Sequence, residues 1–189
     1  MIADSRRWRR RMSSDQHRLR HVQPVVALLV WGLLGAAGAS AEGVSTPVKA
    51  ALIAEHDSAQ PGGTTRIGVH FDIEDGWHIY AQHAGDAGLP TKILWSAPEG
   101  VTIGSSSWPA PEKFLDPGDI RTFGYTKSVL LAGRLEVPST FTEQAVAIHA
   151  EVRWLACKNL CIPGSAALDL TLPVNAEPPT PVAHAHLFE

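Results

Sequence analysis

From Thr46 onward the chain alternates apolar and polar residues with a period of two, the signature of half-buried strands. The clearest run is 65–73, where Thr65, Ile67, Val69, Phe71 and Ile73 point one way while Arg66, His70 and Asp72 point the other. Leu131, Leu135 and Val137 share a face in 129–137, as do Val146, Ile148, Ala150, Val152 and Trp154 in 145–154 and Leu168, Leu170, Leu172 and Val174 near the end. Gly, Pro, Asp and Ser clusters separate the runs. Strands are expected over 46–57, 64–74, 77–82, 91–96, 100–105, 128–137, 144–156 and 166–174, and no segment carries a helical period. Short strands with turn signals at roughly 8–12-residue spacing predict an all-β protein, an immunoglobulin-like β-sandwich occupying 45–175. The segment 106–125 breaks the alternation with Pro109, Pro111, Pro117 and Gly118 and is expected to be a long irregular loop of functional interest. Pro178, Pro179 and Pro181 mark 176–189 as a flexible Pro-rich tail.

The first residues read differently. Seven arginines between Arg6 and Arg20 precede a short apolar run beginning at Val25, and Ala37, Ala39 and Ala41 offer small residues for cleavage. This is the pattern of a secretory signal peptide over 1–41. A run of 15 residues falls short of the roughly 20 that a stable membrane span needs. Met12 offers an alternative start with a shorter basic region. Removing 1–41 takes seven arginines and two aspartates with it, leaving 9 basic against 17 acidic residues, a net charge of −8. That balance argues against a nucleic-acid partner and against an anionic membrane surface, and suits steering toward a basic protein. The expected product is a soluble, exported, periplasmic domain, and a monomer, since no oligomerisation pattern stands out.

The two cysteines stand close together in Cys157-Lys158-Asn159-Leu160-Cys161. In an oxidising compartment such neighbours tend to pair. As a structural staple the pair is weak, because the loop-entropy relation gives about 2 kcal/mol for a five-residue ring against about 5 for a hundred residues. So small a ring also invites strain, which makes a disulfide easier to reduce. A redox-active pair is therefore the reading the spacing favours, with three alternatives left open. Two thiolates and a histidine could hold a soft ion such as Cu(I), but His149 lies on the outward face of its strand, roughly 25 Å along an extended chain from Cys157. His184 and His186 belong to the expected tail. A staple within an adaptor is the second alternative. A cysteine nucleophile with a histidine base is the third, and it leaves the second cysteine unexplained.

Several motifs together resemble one family. They are Gly76-Trp77-His78-Ile79-Tyr80; Gly85-Asp86-Ala87-Gly88-Leu89-Pro90-Thr91 with Trp95; Trp108-Pro109-Ala110-Pro111-Glu112-Lys113-Phe114; Phe123-Gly124-Tyr125; and Cys157 through Gly164. The chain resembles the N-terminal periplasmic domain of the DsbD-type thiol:disulfide interchange proteins, including the relatives linked to suppression of copper sensitivity. The resemblance implies an immunoglobulin-like sandwich that passes electrons through Cys157 and Cys161, with no cofactor beyond the disulfide and no metal. It implies that Cys161 meets the partner and Cys157 resolves. Phe114 becomes the candidate aromatic cap, Tyr80 and Tyr125 candidates for shielding or for lending a hydroxyl, and Glu112 a candidate for raising a thiol pKa by like-charge repulsion. Trp77, Trp95 and Trp108 are expected to pack. The implied partners are periplasmic thioredoxin-like or disulfide-isomerase proteins, and a separately encoded membrane electron donor, since the sequence reaches Glu189 without the family's membrane and thioredoxin-like domains. Cytochrome c biogenesis and copper tolerance are the wider processes the resemblance brings with it.

Overall fold

The computed structural model describes residues 46–189; the expected signal peptide lies outside them. Ten strands follow in order: β1 Val48–Ala54, β2 Thr64–Ile73, β3 His78–Gly85, β4 Lys92–Ser96, β5 Thr102–Ile103, β6 Glu112–Asp116, β7 Ile120–Thr126, β8 Ser128–Glu136, β9 Ala145–Cys157 and β10 Cys161–Pro173. One sheet has the order β1-β2-β8-β5. The other runs β10-β9-β3-β7-β6, with β4 also paired to β9. The fold is an all-β, immunoglobulin-like sandwich, as the alternation predicts.

Parity fixes which side of each strand is covered. Thr65, Ile67, Val69, Phe71 and Ile73 of β2 are all buried, as are Val129, Leu131 and Leu135 of β8 and Val146, Ile148, Ala150, Val152 and Trp154 of β9. These inward faces meet between the sheets. Phe71 of one sheet sets its ring edge-on to Trp154 of the other, with centroids 5.6 Å apart at 81°. Burying each large apolar side chain contributes about 1.5–3 kcal/mol, so the space between the sheets is the main source of stability.

Three expectations are corrected. The 106–125 segment is not an irregular loop throughout: β6 and β7 form a hairpin in register from Glu112↔Gly124 to Asp116↔Ile120. Its alternation was hidden because the backbone comes close where an apolar side chain would otherwise stand. A Cβ on Gly124 would lie 2.1 Å from the Ile79 carbonyl oxygen. Second, the last strand begins at Cys161 rather than 166. Pro163 and Gly164 disguised it, yet β10 is an edge strand, where a missing N–H can be accommodated.

Third, 176–189 packs back on the sandwich instead of trailing from it. Asp57 accepts hydrogen bonds from the backbone N–H (3.0 Å) and hydroxyl of Thr180, and Val182 N–H donates to the Glu55 carbonyl. A short 3-10 turn over Ala185–Phe188 buries the Phe188 ring. Arg66 lies 5.6 Å over that ring and donates to the Phe188 carbonyl. Only one apolar anchor holds the segment, which is why composition alone reads as a loose end.

Candidate functional site

The β9–β10 hairpin turns at Lys158-Asn159-Leu160, with Lys158 N–H donating to the Leu160 carbonyl at 3.0 Å. Its register sets Cys157 directly opposite Cys161, and the two are joined by a disulfide with Cα atoms 4.1 Å apart. The bond therefore lies at the tip of a thirteen-residue strand pair, whose ladder runs on from Cys157↔Cys161 to Ala145↔Pro173. Lys158 Nζ donates to the Asp75 carbonyl at 3.2 Å, tying the tip to the turn between β2 and β3.

The two sulfurs meet different surroundings. Cys157 is 3% exposed, whereas Cys161 is exposed. On the far side of β9, His78 of β3 pairs with Cys157. Tyr80, two residues along and so on the same face, donates its hydroxyl to Cys157 Sγ at 3.4 Å. Tyr80, Ala84 and Cys157 form a small buried cluster with Leu155 against it, separate from the core between the sheets.

Two segments pack beside this cluster. From the β6–β7 hairpin, Phe114 stacks on the His78 ring at 4.6 Å and 23°, and His78 in turn meets Tyr80 edge-on at 5.2 Å. From the loop after β3, Gly88 lies flat on the Tyr80 ring, so close that a Cβ there would stand 2.4 Å from a ring carbon, and its φ of +91° suits glycine. The loop is fastened at both ends. Asp86 and Arg121 exchange hydrogen bonds of 2.8 and 2.9 Å, and the buried Thr91 hydroxyl donates to the Tyr80 carbonyl at 2.7 Å.

The remaining sequence candidates lie farther out. Tyr125 belongs to the main core cluster, and its hydroxyl donates to the Pro109 carbonyl at 2.8 Å. Burial raises its pKa, which keeps the phenol protonated as that donor. Glu112 accepts from the Thr126 hydroxyl at 2.5 Å, on the strand next to His78. Trp77, Trp95 and Trp108 pack against the core. His149 is bonded to Asp169 at 2.8 Å, and His184 to the Ala54 carbonyl at 3.0 Å. Among the described residues no group of three or more His, Cys, Asp or Glu side chains is placed to hold a metal. The sequence reading gave no role to His78, Gly88 or Thr91. The signal for His78 was present, since it lies two residues before Tyr80 in a strand and so shares its face.

The geometry is that of a β-sandwich with a disulfide at a hairpin tip, its Cys157 side buried beside Tyr80 and its Cys161 side exposed. Residues 49–173 match the family described as thiol:disulfide interchange protein DsbD, N-terminal, and the chain belongs to that family. Members act through a redox-active disulfide, and the disulfide is present here. Among solved structures, the chain is similar to the N-terminal periplasmic domain of ScsB from Proteus mirabilis, with 24% identity and a TM-score of 0.51. That match covers 74% of this chain and 50% of the other, so this chain spans about half the length of that structure. Weaker likeness extends to the reduced DsbD N-terminal domain of Neisseria meningitidis, at 16% identity and TM-score 0.38, covering 66% and 85% of the two chains. The same holds for the Neisseria meningitidis complex between the DsbD and PilB N-terminal domains, at 16% and 0.34, covering 62% and 80%. No curated protein matches the chain. Among the described residues no helix is long and apolar enough to cross a membrane.

Proposed function

We propose that this domain relays electron pairs in the periplasm, taking them from one protein dithiol and giving them to another through Cys157 and Cys161. A donor thiolate attacks Cys161 Sγ, the S–S bond breaks, and Cys157 departs as a thiolate that takes up a proton. The donor's second thiolate then attacks its own sulfur in the mixed disulfide and releases Cys161. Two electrons and two protons have moved, the donor is a disulfide and the domain a dithiol. The reverse sequence, with Cys161 attacking a client disulfide and Cys157 resolving, returns the domain to the oxidised form.

The observation that carries this reading is the asymmetry of the sulfurs within a chain of an interchange family: Cys161 is open to a partner while Cys157 is 3% exposed. Exchange depends on access to the attacked sulfur and on the pKa of the departing one. The Tyr80 hydroxyl donates to Cys157 Sγ, and such a bond stabilises the departing thiolate. Phe114 and His78 shield that sulfur side. Tyr125 and Glu112 serve the cover indirectly, the first through Pro109 upstream of β6 and the second through Thr126. Suitable clients are periplasmic thioredoxin-like or disulfide-isomerase proteins, and a further dithiol, membrane-held, reloads the domain.

The test is the reduction potential of the Cys157–Cys161 couple, measured by equilibration with glutathione or dithiothreitol and thiol trapping. A value of roughly −120 to −270 mV supports the relay. A value below about −300 mV marks a structural disulfide and sinks it. Cys157→Ser should trap a mixed disulfide at Cys161, and Cys161→Ser should trap none.

A further inference from the structure

β4 and β9 pair so that Lys92 stands directly opposite Arg153. Both are exposed. Like charges directly opposed across a ladder destabilise it, and among the described residues neither cation forms an ion pair. Alternation places Glu151 and His149 on the same face of β9, opposite Leu94 and Ser96, and Asp169, also on that side, is bonded to His149. Residues 42–189 hold only 9 Lys and Arg against 17 Asp and Glu, so two unpaired cations side by side stand against the general charge.

Lys92 and Arg153 line an open cleft with Leu89, Pro90, Pro163 and Ser165. Its position follows from register. Pro163 is two residues beyond Cys161 on β10, and Arg153 is four before Cys157 on β9. At the strand rise the cleft begins about 7 Å from the disulfide and the cations lie about 13 Å from it. Two exposed leucines stand at the ends of this route, Leu160 at 59% in the turn next to Cys161 and Leu89 at 62% in the lining of the cleft. A protein interface of ordinary size covers about 800 Å² on each partner, a patch that reaches from Cys161 to the cleft.

We infer that this cleft receives an acidic segment of the protein that exchanges with Cys161, Lys92 and Arg153 meeting its carboxylates while Leu160 meets an apolar side chain beside its cysteine. The inference rests on the exchange function proposed above. The surplus of acidic residues suits a partner that is basic as a whole and repels extended polyanions such as nucleic acid or an anionic membrane, so the acidic stretch is short and confined to the cleft, where the two cations set the local field. A mixed acidic and apolar segment matches the local pair of cations and Leu160, and fixes register at the disulfide.

The test uses the purified protein carrying Cys157→Ser, so that the Cys161 thiolate displaces thionitrobenzoate from an activated peptide and the released thiolate is read by absorbance. One peptide carries its cysteine with glutamates four and five residues away; its twin has glutamines there. Dithiobis-nitrobenzoate, which lacks the segment, reports intrinsic Cys161 reactivity. At low salt the acidic peptide should react about tenfold faster than its twin, and this ratio should fall toward one in added salt and in Lys92→Gln/Arg153→Gln. A control, Lys49→Gln/Arg134→Gln, makes the same change in net charge on the other sheet and should keep the ratio. A ratio of one in the parent, or one unchanged by Lys92→Gln/Arg153→Gln, overturns the acidic-segment inference alone if the small reagent reacts normally. A Cys161 inert to the small reagent overturns the exchange function as well.

Discussion

Tyr80 donates its hydroxyl to Cys157 Sγ at 3.4 Å, which ties the buried cysteine to a ring that two neighbouring segments meet. The Tyr80 ring supports Gly88 on one side and meets His78, and through it Phe114, on another. Cys157, Gly88 and Phe114 are thus linked through the Tyr80 and His78 rings.

Tyr80→Phe removes the donor while keeping the ring. The bond contributes about 1 kcal/mol, so a comparable loss of stability is expected in urea unfolding of the oxidised protein. In the reduced protein the Cys157 thiol pKa should rise, read from thiolate absorbance against pH, and exchange through it should slow. An unchanged thiol pKa would show that the hydroxyl acts by packing only.

Phe114→Ala opens the cover at His78. The lost ring pairing costs about 0.5–1.5 kcal/mol, because Phe114 is only half-buried. Reduction by dithiothreitol should become several-fold faster while the fold persists. A rate equal to that of the parent means the ring does not shield the sulfurs.

Gly88→Ala and Gly118→Ala separate backbone strain from collision. Both glycines have positive φ, +91° and +90°, but a Cβ at 118 meets open space whereas at 88 it enters the Tyr80 ring. Gly118→Ala should cost about 1–2 kcal/mol, and Gly88→Ala clearly more, with the excess disappearing in a Tyr80→Ala background. Equal thermal shifts for the two substitutions would contradict the contact at Tyr80.

Reduction itself should be mild. A five-residue ring contributes about 2 kcal/mol, and the β9–β10 ladder continues to Pro173 without help from it. The dithiol form should keep the far-ultraviolet dichroism of the oxidised form and lose only a few degrees of melting temperature. Collapse on reduction would mean the pair is a staple.

Acid stability should depend on Glu55. Arg66 hydrogen-bonds its carboxylate at 2.5 and 2.8 Å, and this holds the Glu55 pKa below its usual 4.5, against the opposing effect of desolvation. A carboxyl depressed on folding adds stability that is fully present above about 4.5 and is lost as pH falls through the folded value. Glu55→Gln should therefore flatten the decline of the urea midpoint below that pH. Because Arg66 also holds Phe188, Arg66→Gln should release the C-terminal turn as well, read as faster amide exchange there.

The sequence by itself determined the sandwich and its core, because period-two alternation names the buried face of a strand wherever one side is wet. Phe71 and Trp154 were assigned inward on parity alone and meet there. It also singled out the cysteine pair, since ring size and spacing are properties of the chain. Only the tertiary structure decided what surrounds the pair. The β6–β7 hairpin was hidden because Gly124 stands where the backbone of β3 presses close. The docked C-terminus was hidden because a single buried phenylalanine and polar contacts with distant residues, Asp57 and Arg66 among them, hold it. Which sulfur is covered, and by what, depends on β3 lying beside the tip of β9, a pairing between residues 78 and 157. Alternation says which face a residue takes but not which strand becomes its neighbour, and register between distant strands is settled only when the whole core closes.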